Sequence, residues 1–349
     1  MLNTARIELH LHLDGSLNIR WAYEKSLKRG VIPADSSFKD YYNLLFANNA
    51  QPHNVSITKF DLTCNILQTA EDLTEATYDL VRRLANQGIW YAEIRFASQQ
   101  HCKEGLSQKE ALYAVIHGAR KGMEVFPDIR IGIINCLMHK GDSAKVNWEE
   151  NLETIRVTKE MLGNGAVGLD LAGFENNCDY KEYAPLFELA KQEGIPFTLH
   201  AGEMGIGEHV LDAIAMGASR IGHGVNCLQS EEYLNKVLET QIPLEVCVTS
   251  NVKRDMNYGE HAILTLLEKG ARVTLNSDNM MFARTDLTNE HAQMRMLGVS
   301  NETLLHCTRN AIEAAFCDEP TKVWLRSRLE QEVLAEEERK THEAQPIIF

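Results

Sequence analysis

Two histidines near the start of the chain have the spacing of a metal chelate. His10 and His12 lie in the run Glu8–Asp14 (ELHLHLD), in which polar and apolar residues alternate. This alternation predicts a β-strand, and residues two apart on a strand point to the same face. Two imidazoles on one face can bind a divalent ion of the zinc class. A strand that happens to expose two histidines would have the same pattern, so the rest of the chain must decide between the two interpretations.

Three further stretches carry residues suited to metal or proton chemistry. His200 begins the sequence His-Ala-Gly-Glu, and its Glu203 carboxylate could bind a metal or transfer a proton. His223 lies between two glycines, which permit a turn that presents the ring to a site, although such a histidine is also common in ordinary loops. Asp278 follows an apolar run and could bind a metal, close a turn or cap a helix.

The elements that would hold these residues alternate between strand and helix. Eight apolar runs predict strands, near residues 7, 91, 133, 169, 198, 221, 245 and 275. Helical segments lie between them, and this alternation implies parallel strands joined by right-handed crossovers. Eight such units in 349 residues predict an α/β fold of the (β/α)8 TIM-barrel type, with residues 1–349 forming a single domain.

The pattern also predicts helices beyond the eightfold repeat. The first connection, at about residues 17–87, is long enough for a helical insertion over the barrel mouth. Within it, residues 33–53 predict a loop or short helices, and one long helical region is predicted from Ser56 to the residues before Gly88. Further helices are predicted at about 300–340, after the last strand.

Active sites of such barrels lie at the carboxyl ends of the strands. The polar residues described above fall at the ends of predicted strands one, five, six and eight, so the barrel brings them to one rim. Three neutral imidazoles and a carboxylate can hold a borderline divalent ion and leave a position for water. The fourth strand ends in Leu169–Gly173 (LDLAG) without the lysine that some two-metal barrel hydrolases use there, so one metal is predicted.

The other nine histidines lie in predicted loops or helices without partners that the sequence can place. We interpret them as structural: His53, His101, His117, His139, His209, His261, His291, His306 and His342.

Composition narrows the class of partner. Lys and Arg number 35 against 49 Asp and Glu, and the net charge of −14 disfavours a surface for nucleic acid or anionic membranes. No apolar run approaches the ~18 residues that span a bilayer. Eight scattered cysteines without a C-x-x-C pair, and the lack of a basic segment followed by an apolar one at the start, favour a cytoplasmic location.

With these residues identified, the sequence resembles the adenosine deaminase family of the metal-dependent amidohydrolase superfamily. The resemblance covers nearly the whole chain and rests on five motifs in the family's order. These are Glu8–Ser16 (ELHLHLDGS), Leu169–Gly173 (LDLAG), His200–Glu203 (HAGE), Ile221–Gly224 (IGHG) and Leu275–Asp278 (LNSD). The resemblance implies a hydrolase that converts adenosine or 2′-deoxyadenosine to inosine or 2′-deoxyinosine and ammonia, with a small purine nucleoside as its partner.

The resemblance also implies a catalytic role for each polar residue. One Zn²⁺ would be held by four ligands: His10, His12, His200 and Asp278. Glu203 would protonate N1 of the purine while water attacks C6, and His223 would orient that water. Asp278 would accept a proton from the same water in addition to binding the metal.

Substrate contacts follow from the resemblance in the same way. Asp14, with help from His12, would contact a ribose hydroxyl, and the N–H of Gly173 would contact purine N3. Asn279 departs from the family, whose members usually have a second Asp there that contacts purine N7. N7 accepts hydrogen bonds, so the carboxamide of Asn279 either replaces that contact or indicates a different substrate. Two alternatives stay open: a deaminase of adenine, an N6-substituted adenine or a modified nucleoside, and a catalytically inactive binding relative.

Overall fold

The computed structural model of the chain describes residues 2–46, 54–175, 179–252 and 258–343. Within these ranges it has eight β-strands, each close to a predicted position. They are β1 (Ile7–His12), β2 (Tyr91–Phe96), β3 (Arg130–His139), β4 (Ala166–Gly173), β5 (Thr198–Ala201), β6 (Arg220–His223), β7 (Leu244–Val246) and β8 (Val273–Leu275).

The strands form two parallel four-stranded sheets, in the orders β1-β2-β3-β4 and β5-β6-β7-β8. Parallel bridges join the sheets at both edges, between Leu169 and Phe197 and between Leu11 and Asp278. At the second edge the N–H of Asp278 donates to the carbonyl of His10 at 2.8 Å, and the N–H of His12 donates to the carbonyl of Asp278 at 2.9 Å. The predicted (β/α)8 barrel architecture is confirmed.

Among the described residues of the first connection, where a helical insertion is predicted, there are four helices. They are α1 (Ile19–Lys28), α2 (Phe38–Phe46), α3 (Asn54–Ile66) and α4 (Ala70–Asn86). The expectation of one long helix from Ser56 is wrong, because the helix is interrupted between α3 and α4. Thr69 is extended there and its hydroxyl accepts the N–H of Asp72 at 3.2 Å, which caps α4 and starts a new helix. The predicted segment 33–53 contains α2, and its residues 47–53 lie outside the described ranges.

The remaining helices connect the strands and cover the end of the chain. Those between strands are α5 (Gln108–Val125), α6 (Trp148–Met161), α7 (Ala184–Gln192), α8 (Glu208–Met216), α9 (Glu231–Thr240), α10 (Val248–Asn251) and α11 (Ala262–Glu268). Those after β8 are α12 (Met280–Ala283), α13 (Leu287–Met296), α14 (Asn301–Ala314) and α15 (Glu319–Glu343). In the described part of the chain, no helix combines the length and apolar character that a membrane span requires.

The barrel interior holds charged residues as well as apolar ones. Five fully buried side chains on β2, β4, β6 and β7 form what we call the ionic layer: Glu93, Arg95, Asp170, Arg220 and Glu245. Arg95 donates to Asp170 and Glu245, both at 2.8 Å, and Arg220 donates to Glu245 at 2.6 Å and to Glu93 at 2.5 Å. Each charge therefore has an opposite charge in direct contact, which offsets the cost of removing it from water.

Candidate active site

Four predicted ligands meet at the carboxyl ends of the strands. His10 and His12 come from β1, His200 from β5, and Asp278 from the loop after β8. The Nε2 atoms of His12 and His200 are 3.2 Å apart. Asp278 Oδ1 is 3.6 Å from His10 Nε2 and 3.4 Å from His12 Nε2. All four residues are buried. Metal-ligating atoms from β1, from β5 and from the loop after β8 therefore converge in a small space with little access to solvent.

Two members of the ionic layer fix the orientation of the imidazoles. His10 Nδ1 lies 2.8 Å from Glu245 Oε2, and His200 Nδ1 lies 2.9 Å from Asp170 Oδ2. A carboxylate at Nδ1 holds the proton on that nitrogen, so the lone pair of Nε2 is directed into the cluster. His10 Nε2 is buried and has no hydrogen-bond partner among the described residues. Three imidazole nitrogens and a carboxylate arranged in this way fit a borderline divalent metal ion.

The charge states of three of the buried groups suit the same interpretation, namely those of His10, His12 and Asp278. Burial lowers the pKa of His12 to about 3 and holds the pKa of His10 well below its usual value, so both rings are neutral. Burial also acts to lower the pKa of His200, but the Asp170 carboxylate outweighs it and raises that pKa. For Asp278, burial is outweighed by His12, His223 and the Ser250 hydroxyl, which leave the pKa below its usual value.

Glu203 and His223 lie beside the four predicted ligands. His223 Nε2 is 3.6 Å from Glu203 Oε2. The Asn251 amide nitrogen is 3.0 Å from His223 Nδ1, so an N–H donated to Nδ1 leaves the ring proton on Nε2, which faces Glu203. His223 and Asp278 have left-handed backbone, with φ of 63° and 60°, and such strain in non-glycine residues is concentrated at functional sites.

Helix α10 supplies two side chains that the sequence reasoning missed. Ser250 donates to Asp278 Oδ2 at 2.5 Å, and Asn251 contacts His223 as described above. The signal for them was weak, because Ser and Asn are common after any strand. Their position directly after β7, at the same rim as the histidines, is the one feature of the sequence that could have singled them out.

Glu175 is a third residue that was missed, and it holds the loop that carries Glu203. Its carboxylate accepts the backbone N–H groups of Gly202 at 2.6 Å, Glu203 at 3.0 Å and Met204 at 2.9 Å. It also lies 2.8 Å from Nδ1 of His209. A carboxylate that accepts three consecutive N–H groups fixes the path of the chain, and so the position from which Glu203 projects.

The predicted substrate-binding residues lie around the same rim. Asp14 is buried, and its Oδ1 has no hydrogen-bond partner among the described residues. Gly173 ends β4 with φ of 116°, and a Cβ there would lie 2.8 Å from the carbonyl oxygen of His139. The Asn279 amide donates to Asp278 Oδ1 at 2.6 Å, and its Oδ1 lies so close to Gly15 that a Cβ on that glycine would clash. The close packing of Asn279 on Gly15 explains why this turn requires glycine.

Comparison with known proteins agrees with the geometry. The family model described as adenosine deaminase matches residues 5–332. The chain is 35% identical over 334 residues to an adenosine deaminase of Haemophilus ducreyi, which covers 93% of this chain and 95% of that protein. It is also similar to the crystal structure of an Arabidopsis N6-mAMP deaminase, with a TM-score of 0.82, 26% identity and coverage of 93% and 97% of the two chains.

A zinc-bound amidohydrolase from Burkholderia ambifaria has the same fold. Its TM-score is 0.85 at 18% identity, with 95% of this chain and 92% of that chain covered. At that identity the likeness concerns the fold, which is the barrel described above.

Proposed function

The chain belongs to the adenosine deaminase family, and from that premise we propose a zinc-dependent hydrolase of 6-aminopurine nucleosides. Its substrates are adenosine and 2′-deoxyadenosine, and its products are inosine or 2′-deoxyinosine and ammonia. We propose further that residues 1–349 act as one deaminase domain and that one Zn²⁺ is held per chain.

The observation that carries the proposal is the convergence of buried ligating atoms at the rim. His10, His12 and His200 direct Nε2 toward a common point beside Asp278, with two of the Nδ1 atoms on carboxylates. These four residues would hold the ion. A bound Zn²⁺ supplies Lewis acidity that makes water nucleophilic near neutral pH.

Glu203 and His223 divide the proton chemistry. The Glu203 carboxyl donates a proton to N1 of the purine, which makes C6 more electrophilic toward water. His223, with Nε2 3.6 Å from that carboxylate, orients the attacking water and takes part in moving its proton. Asp278 accepts from the same water. Positioned acid–base groups of this kind contribute about 10²–10⁴-fold in rate.

Three residues bind the purine nucleoside in this proposal. The free Oδ1 of Asp14 accepts a ribose hydroxyl, with His12 beside it, and the Gly173 N–H donates to N3. Asn279 uses one N–H on Asp278, and an amide nitrogen carries a second, which can donate to N7. This contact needs no protonated carboxyl group, unlike that of the Asp usual in the family.

Asn279 also supports a second candidate function, the deamination of another 6-aminopurine. Adenine, an N6-substituted adenine and a modified nucleoside remain candidates, since the residue that contacts N7 differs from the family pattern. Asp14 favours a substrate with a sugar, because a free base would leave its buried Oδ1 without a partner among the described residues. The inactive relative is disfavoured, because no predicted ligand and no predicted proton-transfer residue is replaced.

A substrate panel tests the proposal directly. We expect kcat/KM to be highest for adenosine and 2′-deoxyadenosine, with inosine and ammonia formed in equal amounts. A preference for adenine or an N6-substituted purine would select the second candidate. No turnover of any 6-aminopurine by the zinc-loaded chain would reject both, and a chain that neither holds nor responds to a divalent ion would favour the inactive relative.

The substitution Glu203→Gln tests the assignment of the acid. It keeps the shape of the side chain but removes the transferable proton, so we expect kcat to fall by about 10²–10⁴-fold while the metal content stays at the wild-type value. Glu232→Gln, an exposed glutamate on α9, is the matched control and should leave kcat unchanged. Near-normal activity of Glu203→Gln would refute the role of Glu203 as the acid.

A further inference from the structure

A second cluster of ligating atoms lies beside the candidate active site and shares no residue with the proposed zinc ligands. Asp14 follows β1, Cys64 is on α3, and His101 follows β2. One ligating atom of each lies within 4.8 Å of those of the other two. The residues are 5%, 2% and 0% exposed, so a nitrogen, a sulfur and an oxygen donor face one another out of contact with bulk water.

Two of the potential metal-ligating atoms of this cluster have no hydrogen-bond partner among the described residues. They are His101 Nε2 and Asp14 Oδ1. His101 Nδ1 is 2.9 Å from the carbonyl oxygen of Leu67, so Nδ1 carries the proton and Nε2 keeps its lone pair. Burial lowers the pKa of His101 to about 4, which keeps the ring neutral. Buried polar atoms normally find partners, so an unpartnered acceptor on each of two residues of one cluster indicates a missing cationic or donating group.

The Cys64 thiol is held in place between two oxygen acceptors, which share its single proton. Cys64 Sγ lies 3.1 Å from Gln100 Oε1 and 3.4 Å from Asp14 Oδ2. The Gln68 amide donates to the carbonyl of Cys64 at 2.7 Å and to that of Gln100 at 2.9 Å. These bonds tie α3 to the turn that carries His101, so the three donors are positioned before any ligand arrives.

We propose that Cys64, His101 and Asp14 form a second cation site, for a soft divalent ion such as Cd²⁺ or Zn²⁺. The ion binds Cys64 Sγ, His101 Nε2 and one Asp14 oxygen, and solvent completes the coordination. Binding releases the thiol proton of Cys64 to solvent, so a thiolate and a carboxylate balance the charge of the ion. A tetrahedral ion separates its ligand atoms by about 3.5 Å, and Cys64 Sγ and Asp14 Oδ2 already lie 3.4 Å apart.

The choice of a soft ion follows from the donor set. Thiolate and imidazole prefer Zn²⁺ and similar ions, whereas Mg²⁺ and Ca²⁺ prefer sites made of oxygen atoms alone. The proposed catalytic ion has imidazole and carboxylate ligands only. A thiolate ligand therefore gives the second site a spectroscopic signature that the first site cannot produce.

Occupancy of the second site should also weaken nucleoside binding. This inference rests on the proposed function. Asp14 is the residue assigned to the ribose hydroxyl, so an ion that takes its carboxylate competes with the nucleoside. We expect added Cd²⁺ to raise KM for adenosine while kcat is retained.

The experiment is a Cd²⁺ titration of the zinc-loaded, full-length chain. We expect a thiolate-to-cadmium charge-transfer band in the ultraviolet that saturates at one added equivalent. Cys64→Ser should abolish the band, and His101→Gln should weaken Cd²⁺ binding at least tenfold. Cys307→Ser, which removes another buried thiol on α14, should leave the band unchanged. A band that survives Cys64→Ser, or no band in the wild type, would overturn the proposal.

Kinetics separate this proposal from the proposed function. If Cd²⁺ gives the band but adenosine is not deaminated, the second site stands and the substrate assignment fails. If adenosine is deaminated but the wild type gives no band, the second site alone fails. In Cys64→Ser, a rise in KM on adding Cd²⁺ as large as in the wild type would likewise reject the second site. Circular dichroism of both site variants checks that loss of the band does not reflect loss of the fold.

Discussion

The rim of the barrel and the ionic layer beneath it use similar residues in opposite ways. At the rim, His10 Nε2 and Asp14 Oδ1 are buried without a hydrogen-bond partner among the described residues. In the ionic layer, Arg95 and Arg220 each contact two carboxylates within 2.8 Å. Buried polar groups are costly unless paired, so the unpaired atoms mark where a ligand is expected and the paired ones mark what holds the site in shape.

The two regions are also mechanically connected. Glu245 and Asp170 belong to the ionic layer, yet each also contacts Nδ1 of a predicted metal ligand. A change in the layer should therefore reach the rim through the orientation of an imidazole, whereas a change at the rim should leave the layer intact.

The largest expected effect comes from breaking the ionic layer itself. Arg95→Met keeps most of the side-chain volume but leaves Asp170 and Glu245 without their shared cation. Removing one partner of a buried ion pair costs about 3–5 kcal/mol, so we expect the free energy of unfolding in urea to fall by about that amount. Arg82→Met, in a partly exposed pair with Asp79, is the control and should change stability by less than about 1 kcal/mol. Equal effects of the two variants would show that the layer is not a structural unit.

An intermediate effect is expected where the layer meets the rim. Asp170→Asn removes the carboxylate beside His200 Nδ1 without touching the proposed metal ligands themselves. Such partners of a ligating histidine typically contribute 10–100-fold to metal affinity, and we expect a loss of that size in zinc affinity, measured by competition with a chelator. Asp212→Asn, on α8, should leave zinc affinity unchanged. A loss of activity with unaltered zinc affinity would contradict the orienting role of Asp170.

The smallest expected effect concerns His291, a buried histidine that has a structural role and lies outside the candidate active site. His291 Nδ1 lies 2.8 Å from the Thr4 hydroxyl, and burial lowers its pKa from 6.5 to about 3. The unfolded chain therefore binds a proton that the folded chain does not, so stability is complete above about pH 6.5 and is lost as the pH falls below it. Between about pH 7.5 and 5.5, this single group accounts for a loss of about 1.4 kcal/mol.

The variant His291→Asn should remove that part of the pH dependence. We expect its free energy of unfolding to fall by about 1.4 kcal/mol less than that of the wild type over the same interval, whatever its stability at pH 7.5. His306→Asn, an exposed histidine on α14, should keep the wild-type slope. An unchanged slope in His291→Asn would mean that His291 is protonated in the folded state or that the unfolded chain does not bind the proton.

The sequence predicted the barrel because its signals are local. Each strand is a short apolar run that ends near a glycine or a polar residue, and eight such runs define the architecture. The break between α3 and α4 was missed, because apolar residues continue at helical spacing on each side of it, as in Phe60 and Leu67 and again in Leu73 and Leu80. Two contacts favour ending the helix there. The hydroxyl of Thr69 caps α4, and the carbonyl of Leu67 bonds His101. The second contact joins residues 34 positions apart, so no local pattern could predict it.

The convergence of the candidate residues was predictable where they lie at a strand end or directly after it, and unpredictable where residues act from inside strands or from longer loops. His10, His12 and His200 follow from their positions on strands, and Asp278 follows from its position just after β8. Members of the ionic layer lie within strands and were not singled out, although a charge inside an apolar strand was a signal. Glu175 is different, because its role depends on three backbone N–H groups in a loop that no sequence pattern specifies.

The seam between the first and last strands has a consequence for the synthesis of the protein. His10 and His12 are translated more than two hundred residues before Asp278, which bridges Leu11 at the seam. No nascent chain that lacks β8 contains the complete donor cluster. Under the proposed function, zinc can be held by the whole cluster only after the seam has formed. Metal uptake would then report the completion of folding, and the bound ion would shift the equilibrium toward the joined barrel.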